Sequence, residues 1–454
     1  MKIVKRVEDI INSTYIKPGS VIYTAGNAAV PQKILKQLAR DPNIYNVELL
    51  SVLLLGDVKE LFSEVACQKI KHRIIFSGPY SREPLNRGMA TYQLMHLSDI
   101  PKQVLNYIKP NVAVFTVAGP DNGGNYSYGT TVEGVQSAVH SIRENGGLVI
   151  VERNKQMPFV LGTTLHESEI DFMIDTDYAL PISPVHQPDE TAMKIGRLVT
   201  ELYIKDGSTL QYGIGEVPEA VTEAILDKGV KDIGIYTELF ADAMRKLIDE
   251  GVVTNKYLDV NFAIASIFLA ADAEGYEWLN YNSSVQSRPC NFTNSILRIA
   301  SQPKMVAINS AIGVDLHGNI WADSLRGRQI YSGIGGQADF LRGSYLSEGG
   351  YAVIAMKSTT AKGISKILDM CPEGITTTAI SADPVIIVTE NGAFDPRGLS
   401  IGEHAVGIAH LAEPATRDLL LKRIYDSPEF HKPQTALKNK APKGFTSYNA
   451  IFSD

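Results

Sequence analysis

Short, continuously apolar runs recur from one end of the chain to the other, separated by segments whose apolar residues fall at helical spacing. They include "NVELLSVLLLG" (46–56), "HRIIFSG" (72–78), "NVAVFTVAG" (111–119) and "GLVIVE" (147–152). Later come "KMVAINSAIGVDL" (304–316), "YAVIAM" (351–356) and "PVIIVTENG" (384–392). A strand with one wet face alternates apolar and polar residues. Runs without alternation belong to strands covered on both faces, which is the condition of parallel sheets flanked by helices. This predicts an α/β fold. A chain of 454 residues is too long for one ordinary core, so two domains are expected.

The chain also repeats itself. "KPGSVIYTAGNAAVPQKILKQLA" (17–39) resembles "KDGSTLQYGIGEVPEAVTEAILDKG" (205–229). Lys17, Gly19 and Ser20 align with Lys205, Gly207 and Ser208. After one deletion, Gly26, Val30 and Pro31 align with Gly213, Val217 and Pro218. Each unit reads as strand, glycine turn, then a helix with proline at its first position. The same offset sets Ser51 opposite Glu238, so that only the second copy carries the acid. The polar, proline-rich "PISPVHQPDE" (181–190) reads as a linker.

Several classes are set aside. The net charge of −7 gives no reason to expect a nucleic-acid partner. Cys67, Cys290 and Cys371 form no CxxC pair, which fits a reducing compartment and no disulfide framework. No run reaches the ~18 apolar residues of a membrane span, and the first residues do not read as a secretory signal. A cytoplasmic location is the expectation. The nine histidines make no HExxH or HxH pair, so no metal is expected. There is no P-loop, no GxGxxG and no GxSxG elbow.

What remains is a set of glycine turns and one acid. In "GIYTELFADAMRKLIDEG" (234–251), an apolar stretch ends at Tyr236, and Phe240, Ala243, Met244, Leu247 and Ile248 follow at helical spacing. Glu238 should therefore sit where a strand ends and a helix begins. Free N–H groups favour an acid there on structural grounds alone. A reactive carboxylate at the carboxyl end of a strand, where open α/β sheets bind ligands, fits the same position. "QYGIGEVP" (211–218) is either a tight turn or a loop with free N–H groups for an anion. "YSGIGGQADFLRGS" (331–344) has three clustered glycines ahead of Gln337-Ala338-Asp339, a pattern able to build an oxyanion hole. "GPDNGGNYSYGT" (119–130) is a cleft-shaping loop or an ordinary one.

In chain order these motifs resemble the class I CoA-transferases, in particular the branch of 4-hydroxybutyrate and butyrate:acetate CoA-transferases, which also holds acetyl-CoA hydrolases. Besides the strings above, the resemblance runs through "FSGPYSREPLNRGMATYQLMHLSDIP" (76–101), "LHESEIDFMID" (165–175) and "TELFADAMRKLIDEGVVTNK" (237–256). It implies two tandem, similar, open parallel-sheet α/β domains, assigned here to residues 1–188 and 189–454. It implies Glu238 as the nucleophile that carries CoA as a glutamyl thioester. It implies Gly213, Ile214, Gly215, Glu216, Val217, Asn294, Asn309, Gly333, Gly335, Gly336 and Gln337 as the CoA-binding and oxyanion set. Acyl-CoA and a carboxylic acid are then the substrates, with no permanently bound cofactor, and a homo-oligomer is expected. Hydrolysis of the same intermediate by water, or CoA binding without catalysis, are the alternative readings. Where relatives show "MPRTHG" this chain has "MPFVLG" (157–162), so Phe159 replaces an arginine, and another arginine is missing near Ser381. The acyl pocket is therefore expected to prefer small, apolar monocarboxylic acids.

Overall fold

Strand Val21–Thr24 is the centre of the first sheet because every side chain it carries is covered or nearly so. It pairs on one side with Val47–Ser51 and on the other with Val112–Val117, whose six residues are all buried. Around this centre lies an eight-stranded sheet in the order 2–4, 172–176, 148–154, 112–117, 21–24, 47–51, 70–74 and 91–92. Every pairing in it is parallel, as the unbroken apolar runs require. The computed structural model describes residues 1–325, 329–430 and 442–452.

The second sheet has seven strands, in the order 234–235, 209–212, 305–309, 351–355, 386–389, 392–394 and 445–447. Its first five are parallel, and the last two close it with antiparallel pairs. The two sheets share one plan. The order 47–51, 21–24, 112–117, 148–154, 172–176 in the first matches 234–235, 209–212, 305–309, 351–355, 386–389 in the second. Helices Gln32–Arg40 and Glu216–Lys228 follow the equivalent strands. The chain is thus built from two similar α/β domains, and residues 181–189 between the sheets carry no regular element.

Two details of the repeat differ from the sequence alignment. Ile22 pairs with Leu49, and its counterpart Leu210 pairs with Ile235. Three residues further on stand Val52 and Glu238, so Val52, not Ser51, is the counterpart of the acid. The turns also differ in how they enter their helices: Pro31 precedes its helix as N-cap, whereas Pro218 is the third residue of its own.

The domains are sewn together by main chain. Phe268 N–H donates to Thr130 O at 2.8 Å, Val132 N–H to Ser266 O at 3.0 Å, and Ser287 N–H to Leu161 O at 2.7 Å. Loop 119–130 delivers this seam: Asp121 accepts the N–H groups of Gly123 and Asn125 and turns the chain back toward it. One apolar cluster takes in Tyr23, Val117 and Val132 of the first domain with Leu210, Phe268 and Val353 of the second. Phe159 belongs to this junction: its ring stacks on Tyr281 at 4.6 Å, and a Cβ on Gly119 would lie 3.2 Å from it. The side chain that stands where relatives carry an arginine is used in packing. Among the described residues, no helix is long and apolar enough to cross a membrane.

Candidate active site

Glu238 lies three residues beyond strand Gly234–Ile235, at the carboxyl edge of the second sheet. The expected strand end is there, but the helix does not begin at once. Leu239–Ala241 form a short strand paired with Ile267–Leu269, and the helix runs Asp242–Asp249. Phe240, read as the first residue of a helical stripe, belongs to that strand. Its spacing from Ala243, Met244 and Leu247 fits a helix, but pairing with Phe268 decides its conformation. The acid therefore caps no helix, and the structural explanation for an acid at this position falls away.

Its main chain is fixed from the other side of the short sheet: the N–H groups of Ser266 and Ile267 donate to Glu238 O at 3.0 and 2.9 Å. Its carboxyl accepts Asn294 Nδ2–H at 2.7 Å. Asn294 is fully buried at the end of helix Cys290–Thr293, with its Oδ1 accepting Thr293 Oγ1–H at 2.7 Å. That bond orients the amide so that the NH₂ faces the acid.

The glycine loop 333–336 approaches the same carboxyl. A Cβ on Gly336 would lie 1.9 Å from Glu238 Oε2 and 2.0 Å from Asn294 Nδ2, so only glycine fits. Gly335 adopts φ +60°. Gly333 has no room either, because a Cβ would fall 2.6 Å from the Phe76 ring of the first domain. Leu97 N–H, also from the first domain, donates to Gly335 O at 3.0 Å. Gly336 is the N-cap of helix Gln337–Leu346, and the Nε2 of Gln337, at its start, is buried without a hydrogen-bond partner.

Burial pushes the Glu238 carboxyl up to about 7. The Asn294 and Gly336 N–H groups pull it down, and the Asp339 carboxylate pushes it further up. Asp339 is itself raised to about 6 by burial, partly offset by the Ser98 hydroxyl at 2.8 Å and the Ser98 N–H. Among the described residues, none of the groups that chiefly set the titration of Glu238 is a cation.

The other expected residues form a second group at the same sheet edge. Gly213, Ile214 and Gly215 follow strand Thr209–Tyr212; Gly215 has φ +125°, and a Cβ at Gly213 or Gly215 would meet nothing within 4 Å. This loop is open. It leads into the uncapped N-terminus of helix Glu216–Lys228, where free N–H groups favour an anion. Glu216 turns to Lys357, which also binds Asp189 at 2.7 Å, and Val217 is partly buried. Asn309 ends its strand and donates to Gln211 Oε1 at 3.0 Å. The structure thus gathers Glu238, Asn294, Gly335 and Gly336 around one carboxyl, and ties Asn309 to Gln211 beside the open loop. The sequence reading overlooked Glu133, Ser266, Phe76 and the charge of Asp339. Among the described residues, no group of three or more His, Cys, Asp or Glu is placed to hold a metal ion.

Residues 2–184 match the acetyl-CoA hydrolase/transferase N-terminal domain, and residues 272–424 match the C-terminal domain of the same family. A 4-hydroxybutyrate coenzyme A transferase of Clostridium kluyveri is 31% identical over 87% of this chain and 91% of its own. A succinyl-CoA:cyclohexane-1-carboxylate CoA transferase of Geobacter metallireducens is 32% identical over 79% of this chain and 81% of its own. The crystal structure of RipA from Yersinia pestis superposes with a TM-score of 0.85 at 29% identity, over 93% of this chain and 97% of that one.

Proposed function

This chain belongs to the acetyl-CoA hydrolase/transferase family, that of the class I CoA-transferases, and on that premise we propose that it moves coenzyme A between short-chain carboxylic acids through a thioester on Glu238. The observation that carries the proposal is the setting of the Glu238 carboxyl. It accepts the Asn294 amide with the Gly336 main chain packed against it, and burial raises its affinity for protons.

The chemistry runs in balanced steps. The Glu238 carboxylate attacks the thioester carbonyl of acyl-CoA; the C–S bond breaks and CoA leaves as thiolate, giving a mixed acyl-glutamyl anhydride. The thiolate attacks the glutamyl carbonyl, and the acyl group leaves as carboxylate. Glu238 now carries CoA as a thioester. An acceptor carboxylate reverses the two steps and leaves as the new acyl-CoA. The thioester bond is conserved and a difficult exchange is divided into easier ones. Backbone N–H groups of Gly335 and Gly336, with the open loop at Ile214, are suited to the oxyanions that form at each carbonyl. One such donor is typically worth about 2.7–4 kcal/mol of transition-state stabilisation.

Among the described residues, the charged group that chiefly acts on Glu238 is the Asp339 carboxylate, and this bears on substrate choice. A second carboxylate on the acid would enter a site already holding Glu238 and Asp339. Acetate-, butyrate- and 4-hydroxybutyrate-like acids suit it better than dicarboxylates.

Glu238→Ala should abolish transfer from acetyl-CoA to butyrate, and Glu238→Asp should be severely impaired, because near-attack geometry tolerates little displacement. Intact-mass measurement after mixing with acetyl-CoA should find one CoA bound, on the peptide containing Glu238. An Ala variant that keeps more than about a tenth of wild-type kcat, a loss of under ~1.4 kcal/mol, refutes the assignment. Thioester loss that needs no acceptor acid would instead identify a hydrolase.

A further inference from the structure

We propose that Glu133, supplied by the first domain, is a positioning residue of CoA transfer that holds Glu238 of the second domain from both its main-chain and its side-chain side. The proposal rests on Glu238 being the nucleophile. Glu133 is fully buried at φ +30°, a conformation that residues other than glycine rarely adopt. Each polar group of its main chain leads to Glu238. Its N–H donates to Ser266 Oγ at 3.1 Å, and Ser266 N–H donates to Glu238 O at 3.0 Å. Its C=O accepts Cys290 N–H at 3.1 Å; Cys290 O in turn accepts Asn294 N–H at 2.9 Å, and Asn294 holds the Glu238 carboxyl. One residue thus anchors the strand beneath the nucleophile and the short helix that presents its amide partner.

The side chain has a separate task. Glu133 Oε1 accepts the N–H of Gly26 at 3.2 Å. Gly26 is the first-domain counterpart of Gly213. The second-domain turn is open, whereas in the first a Cβ on Gly26 would lie 2.3 Å from Val52 O. The first copy of the turn is therefore filled from within by main chain and by the Glu133 carboxyl. Glu133 Oε2 is buried without a hydrogen-bond partner.

The groups facing this carboxyl are all acids: Glu238, Tyr23 on strand Val21–Thr24, and Cys290 at the start of its helix. Asp339 faces both Cys290 and Glu238. Tyr23 and Cys290 are pushed well up by burial and stay neutral. Burial, with the Glu238 charge adding to it, raises Glu133 to about 8, while the Gly26 N–H pulls it down. At pH 7 Glu133 is a neutral acceptor for Gly26. Above about 8 it becomes a second anion beside the nucleophile, where an oxyanion must also develop, and that charge opposes the reaction.

Glu133→Gln and Glu133→Ala in the full-length enzyme test the side chain's task, since both keep the main-chain bonds to Ser266 and Cys290. The readouts are the rate of CoA adduct formation on Glu238 by intact mass, kcat/KM for acetyl-CoA from pH 5.5 to 9.5, and the melting temperature. Glutamine keeps the acceptor for Gly26 but cannot ionise. The expected result is a rate at pH 7 within about threefold of wild type and loss of the falling limb above pH 8. Alanine loses the acceptor, and adduct formation should fall at least tenfold with KM changed less than twofold. A falling limb that persists in Glu133→Gln, or a folded Glu133→Ala forming adduct within twofold of the wild-type rate, overturns the proposal. Should Glu133→Ala fail to fold, the pH profile of Glu133→Gln decides alone. A wild-type enzyme that forms no adduct on Glu238 overturns the nucleophile assignment and this proposal together.

Discussion

Replacing Gly336 with alanine adds one methyl group and should cost about two orders of magnitude in rate. The new Cβ would lie 1.9 Å from Glu238 Oε2 and 2.0 Å from Asn294 Nδ2, well inside van der Waals contact, so the carboxyl or the amide must move by more than an ångström. That movement breaks the 2.7 Å bond between them. A hydrogen bond to a charged group is worth about 1.5–3 kcal/mol net, roughly 10- to 150-fold in rate if it acts fully in the transition state. A displacement of about 1 Å in a reacting group carries a penalty of similar size, ~100-fold. The two losses share one cause and do not simply add. Gly336 has an ordinary backbone angle of φ −99°, which alanine adopts freely. The backbone change itself should cost little stability; the lost hydrogen bond adds up to about 1.5–3 kcal/mol, which the melting temperature reads separately from the rate. The assay is kcat/KM for acetyl-CoA with butyrate as acceptor, beside the melting temperature. Asn294→Ala should show a similar loss, and the double variant should be little worse than either single one. A folded Gly336→Ala enzyme within tenfold of wild type would refute the argument that this loop is shaped around the carboxyl.

Three further outcomes are expected. Because the proposed mechanism needs Glu238 ionised, kcat/KM for acyl-CoA should rise with pH through about 7; Asn294→Ala should move that limb upward and Asp339→Asn downward, as pH–rate profiles will show. Burial raises Glu238 above its ordinary 4.5, so the native state holds its proton more tightly than the unfolded chain, and stability is lost as pH rises from 4.5 through about 7. Glu238→Gln escapes this loss: it should melt above wild type at pH 8 and match it near pH 4.5, and equal melting temperatures at pH 8 would contradict the burial argument. Butyrate should outcompete succinate as acceptor in kcat/KM with one acyl-CoA donor; a preference for succinate would sink the claim that the charge of Asp339 disfavours a second carboxylate, while leaving CoA transfer standing.

The strands were legible because a strand covered on both faces must be apolar throughout, and 112–117 or 351–355 cannot be read otherwise. The duplication was legible in Gly19, Ser20 and their counterparts, since a turn tolerates few substitutes. The position of Glu238 at a strand end was legible for the same reason. Its neighbours were not. Leu239, Phe240 and Ala241 satisfy strand and helix alike, and only the pairing with 267–269, more than twenty residues on, decides between them. Glu133 left a faint signal, an acid inside "TTVEGV" just ahead of helix Val135–Asn145. Its meaning comes from Gly26, Ser266 and Cys290, which no local pattern connects. The place of Phe159 was not legible, because a missing arginine says nothing of what its replacement packs on; here Tyr281 stacks on it at the domain junction.

The valine opposite Glu238 in the repeat has a stoichiometric consequence. Two copies of one plan invite the expectation of two reaction centres, yet Val52 offers no carboxylate, and its own main-chain oxygen fills the turn at Gly26. On the proposed mechanism, each polypeptide then stores one CoA and no more. However many chains assemble, the covalent load should rise by one CoA per chain, and the half of the molecule that resembles a second enzyme serves as the wall against which the first one works.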